Sequence, residues 1–309
     1  MQRRVLIAIA ALFLIGASAS AGPYEDAWAA YQKGDYATAL KLMRPLAEAG
    51  NVNAEYNLGV MYDNSLGVKQ NYAEAAKWYA KAVAQGNIYA VVDLGILYEN
   101  GWGVPRDYAK ALSLYRQAAA QKNATAELNL GVMYDAGRGV PVDRKQAVTW
   151  YRMAADHGNP VAQLNLGMMY NSGEGVPKDA KQAAAWFRKS ADQGNDNAQL
   201  NLGALYFAGQ GVPQDYKAAA KWTRLSANQL NGRAQYNLAI MYQKGIGLQP
   251  SKAWALVWFS AAAVYLQGDE AKVAVQNRDA VTAQMTHDEI LQAQKVAHEC
   301  QATHYQKCQ

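Results

Sequence analysis

The side chains best suited to chemistry lie together near the C-terminus: His298, Cys300, His304 and Cys308. On one continuous helix, positions 300, 304 and 308 would share a face, and sulfur and imidazole ligands suit zinc or copper. The alternative is a disulfide between the two cysteines, which an oxidising compartment favours. A continuous helix would hold their Cα atoms about 12 Å apart, too far for that bond. We therefore predict a helix that ends near Thr303, a Cys300–Cys308 disulfide and no metal site, with free or metal-bound thiols as the alternative.

The rest of the chain lacks the common motifs of catalysis. No Ser is followed three positions later by Lys, and neither H-E-x-x-H nor G-x-S-x-G occurs. These spacings place a base beside a nucleophile or two ligands on one metal, so their absence removes the usual signatures of serine hydrolases and zinc proteases. We predict that the protein is not an enzyme and needs no cofactor.

The chain repeats itself six times at an interval of 36 residues. An Asn/Asp-Leu pair recurs in each copy, with its first residue at Asn57, Asp93, Asn129, Asn165, Asn201 and Asn237. A tyrosine follows at a fixed offset, at Tyr62, Tyr98, Tyr134, Tyr170, Tyr206 and Tyr242. A large apolar residue recurs at Trp78, Leu114, Trp150, Trp186, Trp222 and Trp258. Repetition at this period is typical of stacked supersecondary units.

Each repeat contains signals for two helices. In the fourth repeat, the first helix is predicted over residues 160–172, with an apolar face formed by Ala162, Leu166, Met169 and Tyr170. Gly173 and Gly175 are expected to end it, and Pro177 cannot continue it. The second helix is predicted over residues 180–193 and has N-cap candidates in successive repeats at Asn71, Asp107, Asp143, Asp179 and Asp215. The G-x-G of the connecting loop closes a helix, whereas a phosphate-binding loop would open one.

These residues resemble the Sel-one-like repeat family, which is related to the tetratricopeptide repeat. The matching pattern is A-x-x-x-L-G-x-x-Y-x-x-G-x-G-V-P, followed by A-x-x-W-[YF]-x-x-A-A-x-x-G-[ND], from Gly50 to about Ala263. The resemblance implies an all-α fold, a right-handed superhelical solenoid of antiparallel helix pairs. The departures are local, and Lys122 and Leu230 stand where the closing glycine of a repeat is expected.

Four segments are expected along the chain. Residues 1–21 have a basic start, an uncharged apolar run and an A-x-A site, which together indicate a cleavable signal peptide and a periplasmic or secreted protein. Residues 22–50 are predicted to form a capping helix pair, residues 51–266 the six repeats, and residues 267–309 the closing helices and cysteine-containing tail. No segment is apolar over the roughly 20 residues that a membrane span needs.

The resemblance places the first helix of each repeat on the concave side of the solenoid. There, the Asn/Asp residues of the Asn/Asp-Leu pairs are predicted to bind a peptide backbone, because an amide both donates and accepts. They are Asn57, Asp93, Asn129, Asn165, Asn201 and Asn237. The adjacent apolar stripe would take side chains, through Val60, Ile96, Val132, Met168, Ala204 and Ile240. The alternative is that both stripes only stabilise the packing of one repeat on the next.

Charge favours a protein partner over a nucleic acid. The net charge of +5 is small and evenly spread, unlike the basic footprint of a nucleic-acid-binding protein. Acids near the predicted groove in the early repeats (Asp63, Asp93, Glu99 and Asp135) and bases in the sixth (Arg233 and Lys244) predict a groove with acidic and basic ends.

The sequence therefore predicts a scaffold or regulator that binds another protein, or an extended peptide segment of one, in the concave groove. Binding of an envelope polysaccharide or peptidoglycan is the alternative, with Trp102, Tyr89 and Phe207 as sugar platforms. A penicillin-hydrolysing activity, as described for cysteine-rich relatives, is a further alternative, although the chain lacks the regularly spaced cysteines of that branch.

Overall fold

The computed structural model describes residues 22–303 together with Tyr305 and Cys308. Over these residues the regular elements are 16 α-helices and no strand, and none of the helices is long and apolar enough to cross a membrane. The predicted signal peptide over residues 1–21 and the metal-ligand candidate His304 lie outside the described residues.

The described chain divides into two compact units, the first ending at Asp107 and the second beginning at Tyr108. The first unit contains α1 (Pro23–Gln32), α2 (Tyr36–Glu48), α3 (Val52–Asn64), α4 (Tyr72–Ala84) and α5 (Ile88–Asn100). The second contains α6 (Tyr108–Ala119), α7 (Ala124–Ala136), α8 (Arg144–Asp156), α9 (Pro160–Ser172), α10 (Ala180–Asp192), α11 (Asp196–Ala208), α12 (Tyr216–Ala227), α13 (Gly232–Lys244), α14 (Lys252–Tyr265), α15 (Gly268–Thr282) and α16 (His287–Ala302). Within each unit, successive helices pack on one another as an all-α solenoid.

Side-chain caps set where the helices begin. The first helix of each repeat is capped by an asparagine whose Oδ1 accepts from backbone N–H groups of the first turn, at Asn51, Asn87, Asn123, Asn159, Asn195 and Asn231. Asn71, Asp143, Asp179 and Asp215 cap second helices, as predicted. Each cap satisfies donors that have no partner inside the helix. The helix bounds predicted for the fourth repeat are confirmed to within one residue.

The loop between the two helices of a repeat depends on its second glycine. Gly175 has a φ of +70°, and a Cβ there would lie 2.3 Å from the Arg144 carbonyl oxygen at the start of the preceding second helix. The equivalent glycines in the other repeats would bring a Cβ within 2.0–2.4 Å of a residue at the same point. The loop therefore rests directly on the backbone of the previous helix pair.

The core lies between helices of neighbouring pairs. Ala162, Leu166 and Met169 of α9 are buried with residues of α8 and with Trp186 of α10. Gly167 lets α10 approach, because a Cβ at that position would lie 2.6 Å from the ring of Phe187. Each helix pair buries its apolar face only when the next pair is present, which is the basis of solenoid stability.

The C-terminal helices close the second unit. The predicted capping box of Thr286 and Glu289 is confirmed at the start of α16. That helix ends at Ala302, and a disulfide joins Cys300 to Cys308, with their Cα atoms 5.4 Å apart. The ring of Tyr305 packs on Trp258 of α14 at 5.5 Å.

Substitution by alanine should destabilise the protein less at a glycine that closes a repeat than at the second glycine of the loop between the two helices of a repeat. Gly158 closes a repeat with a φ of +87°, and a Cβ added there would meet no described atom within 4 Å, so Gly158→Ala costs only left-handed backbone strain. Gly175→Ala adds a collision with backbone. We expect a loss in the free energy of unfolding of about 1–2 kcal/mol for the first and about 2–5 kcal/mol for the second. Urea denaturation of the full chain measures both, and equal losses would contradict the proposed contact.

Lys122 and Leu230 adopt the left-handed conformation that the closing glycines of other repeats adopt, with φ of 60° and 68°. Because Lys122 is exposed, Lys122→Gly should relieve strain without loss of packing. We expect a gain of about 0.5–1 kcal/mol in the free energy of unfolding. Lys122→Ala, which removes the same charge but keeps a Cβ, is the control and should bring no comparable gain.

Candidate functional site

In the first unit, the predicted binding stripe is engaged by neighbouring side chains. Asn57 is buried, and its amide donates to the Tyr24 hydroxyl at 2.7 Å. Asp93 is half-buried and accepts from the Tyr56 hydroxyl at 3.1 Å. The prediction of an open amide is therefore wrong for Asn57, because α1 of the capping pair brings a tyrosine onto it. Val60 and Ile96 of the apolar stripe are half-buried.

In the second unit, the same stripe becomes progressively more open. Asn129 is half-buried, and its Nδ2 atom is enclosed without a hydrogen-bond partner among the described residues. Asn165 is half-buried and lies close to the Tyr151 hydroxyl. Asn201 is half-buried and Asn237 is exposed, and within the described part of the chain neither amide has a hydrogen-bond partner. These two asparagines can therefore act toward a ligand.

Apolar side chains accompany the open amides. Met168 is 51% exposed and Phe207 is 44% exposed, on α9 and α11 respectively. Ala204 is exposed, while Val132 and Ile240 are half-buried. Phe207 also packs on Tyr216 at 5.4 Å. The first helices of the second unit thus present amide and apolar groups side by side.

Three clefts run along these helices, and we call them the first, second and third clefts. The first, of about 570 Å³, is lined by residues that include Val132, Asn165, Met168 and Asn201. The second, of about 400 Å³, includes Ala204, Phe207, Asn237 and Ile240. The third, of about 450 Å³, shares Leu200, Tyr236 and Asn237 with the second. Helix α11 separates the first two clefts and offers Asn201 to one and Ala204 to the other.

Charged side chains of the first and third clefts form ion pairs within the protein. Arg144 pairs with Asp135 and, at 3.2 Å, with Glu174 in the first cleft. Burial raises the pKa of the neighbouring Tyr151 hydroxyl, and the Asp135 carboxylate raises that pKa further. Arg233 pairs with Glu270 at 2.9 Å in the third cleft.

The acidic residues predicted for one end of the groove are buried or bonded to other side chains of the protein. Asp63 is buried and accepts from the Tyr79 hydroxyl at 3.2 Å, and Glu99 is also buried. Lys244 is exposed in the second cleft. The predicted division into acidic and basic ends is therefore wrong, because most of those charges already have a partner in the protein or are buried.

A second polar series, which the sequence analysis did not predict, lies two residues before the asparagines. Gln193 donates to Gln163, and Gln229 donates to Gln199, at 2.8 Å in each case. Gln163 and Gln199 are buried and also donate to backbone carbonyls of the preceding second helix. These glutamines therefore supply the polar contacts that hold one helix pair to the next. The periodic glutamines at residues 163, 199 and 235 were the available signal.

The repeated tyrosines also have partners that the sequence analysis missed. In five cases an arginine of the preceding second helix, 18 residues earlier, donates to the tyrosine hydroxyl: Arg44–Tyr62, Arg116–Tyr134, Arg152–Tyr170, Arg188–Tyr206 and Arg224–Tyr242. These tyrosines therefore serve stacking within each unit and leave ligand contacts to other residues.

The aromatic residues considered as sugar platforms differ in their surroundings. Trp102 stacks on Tyr72 at 5.3 Å, which indicates packing between a loop and the helix beneath it. Tyr89 is 54% exposed and lies 6.1 Å from Tyr56. The described residues contain no group of three or more His, Cys, Asp or Glu side chains placed to hold a metal ion.

The third repeat carries a charged version of the glutamine pair, which generates a stability prediction. His157 lies 2.7 Å from the fully buried Glu127, whose Oε1 has no partner in the part of the chain that the structure describes. The double variant Glu127→Gln/His157→Gln recreates the neighbouring pairs, so we expect the free energy of unfolding to rise by about 1 kcal/mol. His157→Ala alone should lower it by about 1–3 kcal/mol, because it leaves a buried carboxylate unpaired. Thermal and urea unfolding at fixed pH measure both changes, and a destabilised double variant would contradict this interpretation.

Comparison with known proteins agrees with this geometry. The chain matches the Sel1 repeat over residues 52–87, 88–123, 124–159, 160–195, 196–229 and 232–263. Among solved structures, a Sel1 repeat protein from Oxalobacter formigenes is 33% identical with a TM-score of 0.74, and the match covers 79% of this chain and 100% of that one. A protective antigen with an SLR fold, present in uropathogenic Escherichia coli strains, is 27% identical with a TM-score of 0.42, covering 90% and 75% of the two chains.

An immunity protein from Pseudomonas aeruginosa is 23% identical with a TM-score of 0.45, covering 74% of this chain and 81% of that one. No curated protein matches the chain. Sel1 repeats generally form scaffolds for protein–protein interaction. With six consecutive matches along an all-helical solenoid, the chain belongs to the Sel1 repeat family.

Proposed function

We propose that this protein binds a partner protein in the periplasm or outside the cell, by taking an extended segment of that partner into the groove along α7, α9, α11 and α13. The observation that carries the proposal is the pair of amides on Asn201 and Asn237, which lie in clefts without a partner among the described residues. The polar contacts that hold adjacent helix pairs are made by other side chains. The asparagines therefore have no structural task that explains them.

An extended peptide fits the chemistry of this groove. Its backbone offers N–H and C=O groups in alternation, and a primary amide can donate to one and accept from the other. Its side chains leave the backbone in alternate directions, so apolar ones can enter the clefts between the first helices. Met168, at the rim of the first cleft, is flexible and adapts to side chains of different shape.

The proposed location rests on two features. The leader-like residues 1–21 predict export, and the Cys300–Cys308 disulfide suits an oxidising compartment. The family supports a role in protein interaction. The glycan alternative is not favoured in the second unit, because Phe207, its candidate platform there, lines a cleft whose other side chains are mainly apolar.

Site-specific photocross-linking tests the groove and identifies its ligand. A photoreactive amino acid replaces Met168 in the groove or, as the control, Met153, an exposed residue of α8 outside the three clefts. We expect position 168 to cross-link one defined segment of a partner in living cells, which mass spectrometry then maps. Equal cross-linking from position 153 would contradict the groove.

The mapped segment is then synthesised as a peptide, and its affinity for variants of the protein shows how much the two amides contribute to binding. Because each lost hydrogen bond costs about 0.5–1.5 kcal/mol, Asn201→Ala/Asn237→Ala should weaken binding by about 5- to 150-fold. Gln210→Ala, which removes an exposed amide outside the clefts, should leave the affinity unchanged. Unaltered affinity in the double variant, with its helical content intact, would refute the role of the asparagines.

A further inference from the structure

The first unit contains a cleft of a different kind, which we call the aromatic cleft. It has a volume of about 430 Å³, lies among α1, α3 and α5, and is lined by four aromatic residues, Tyr24, Trp28, Tyr56 and Tyr89. Its volume falls within the usual range of small-ligand sites. Its lining comes entirely from the first unit and shares no residue with the proposed protein-binding groove of the second.

Two of the aromatic rings are presented on a fixed support. Trp28 is 36% exposed and stacks on Tyr31, with ring centroids 5.1 Å apart and planes 10° from parallel. Tyr89 is more than half exposed and lies beside Tyr56, which in turn lies 5.9 Å from the buried Tyr79. Each exposed ring is thus backed by another ring. Such a surface can receive a flat ligand without rearrangement.

The polar side chains of the aromatic cleft are uncharged, and each has a hydrogen-bonding group that is not used within the described part of the chain. Gln85 donates to Glu55 and keeps its carbonyl oxygen, whereas the Asn87 oxygen caps α5 and leaves the NH₂ group. Asn53 is exposed and its amide has no hydrogen-bond partner within the described residues. Tyr24 accepts from Asn57 and can still donate its own proton. The cleft therefore offers both donors and acceptors.

Among the described residues, no acidic or basic side chain lines the aromatic cleft. The three clefts of the second-unit groove each include at least one, namely Lys244, Arg144 or Arg233. Burial raises the pKa of the Tyr24 and Tyr56 hydroxyls, so these remain uncharged in neutral solution. A charged ligand would lose part of its hydration on entering the cleft, and the uncharged lining could not compensate for that loss with an ion pair.

We propose that the aromatic cleft binds a neutral saccharide. A sugar ring has C–H groups on its face, and their partial positive charge is attracted to the negative face of an aromatic ring. Its hydroxyl groups both donate and accept, which matches the mixed capacity of Gln85, Asn87 and Asn53. The site is independent of the proposed protein-binding function, because it uses different residues on different helices.

A proline-rich peptide is the competing ligand, because such segments also dock in aromatic grooves. Proline has no backbone N–H, so these peptides present chiefly carbonyl acceptors and need donors alone. The Tyr56 hydroxyl is already committed to Asp93, and the remaining capacity of the cleft includes acceptors that a proline-rich segment would leave unused. The saccharide therefore fits the lining better.

Titration of the full mature chain with defined probes tests this site. The probes are cellotetraose, tetra-N-acetylchitotetraose and a decaproline peptide, with binding measured by calorimetry. We expect at least one oligosaccharide to bind and decaproline not to bind. Tyr89→Ala and Asn53→Ala, at exposed positions, should each weaken saccharide binding at least fivefold with helical content unchanged.

The matched control is Phe207→Ala, which removes a comparably exposed ring from the second unit and should leave saccharide affinity unchanged. Absence of binding by both oligosaccharides at millimolar concentration would overturn the proposal, and so would tighter binding of decaproline. Loss of affinity in Phe207→Ala but not in Tyr89→Ala would place the saccharide elsewhere. None of these outcomes bears on the asparagines of the second-unit groove, so the two hypotheses fail separately.

Discussion

The close approach of each connecting loop to the preceding helix pair sets the geometry on which the remainder of each unit depends. In five of the six repeats the second loop glycine lies against backbone at the start of the previous second helix, and in the other repeat it lies against the Tyr108 Cβ atom, so a side chain could not fit at any of these positions. Backbone packed on backbone leaves little freedom in the spacing of neighbouring pairs. Because the interval is 36 residues throughout, every first helix in a unit meets its neighbour in the same way, and equivalent side chains recur in register.

Because of this register, the polar side chains that hold neighbouring helix pairs together and those that line the clefts lie on different sides of each first helix. On α9, Gln163 and Asn165 are two residues apart and so point in directions about 200° apart around the helix axis. Gln163 is buried and bonded to Gln193, whereas the cleft receives Asn165. On α11, Gln199 and Asn201 repeat this arrangement. A buried amide without a hydrogen-bond partner destabilises the protein. An amide at a cleft can hydrogen-bond to water when no ligand is bound.

Features that depend on residues close together in the chain were predicted correctly from the sequence. Features that depend on contacts between distant residues were not. Helix bounds and caps follow from residues within one turn of each other, such as Asp179 and the first turn of α10. The state of Asn57 depends on Tyr24, 33 residues earlier and in a helix that does not share the repeat pattern. The expected charge polarity failed for a related reason, since Asp135 and Arg233 find partners in Arg144 and Glu270 from other elements. Repeat periodicity identifies equivalent positions but not their neighbours.

The two units show how one repeat can carry different recognition chemistry. Asn57 of α3 and Asn201 of α11 occupy equivalent positions of the repeat, yet Asn57 is bonded to Tyr24 and Asn201 is open. In the first unit, the capping helix α1 adds aromatic rings to this surface, and the result is an uncharged cleft. In the second unit, later repeats place Met168 and Ile240 beside the amides, together with the charged Arg144 and Lys244. Because the core faces of these helices remain alanine, leucine and methionine, the lining of each cleft can change without altering the packing that supports it.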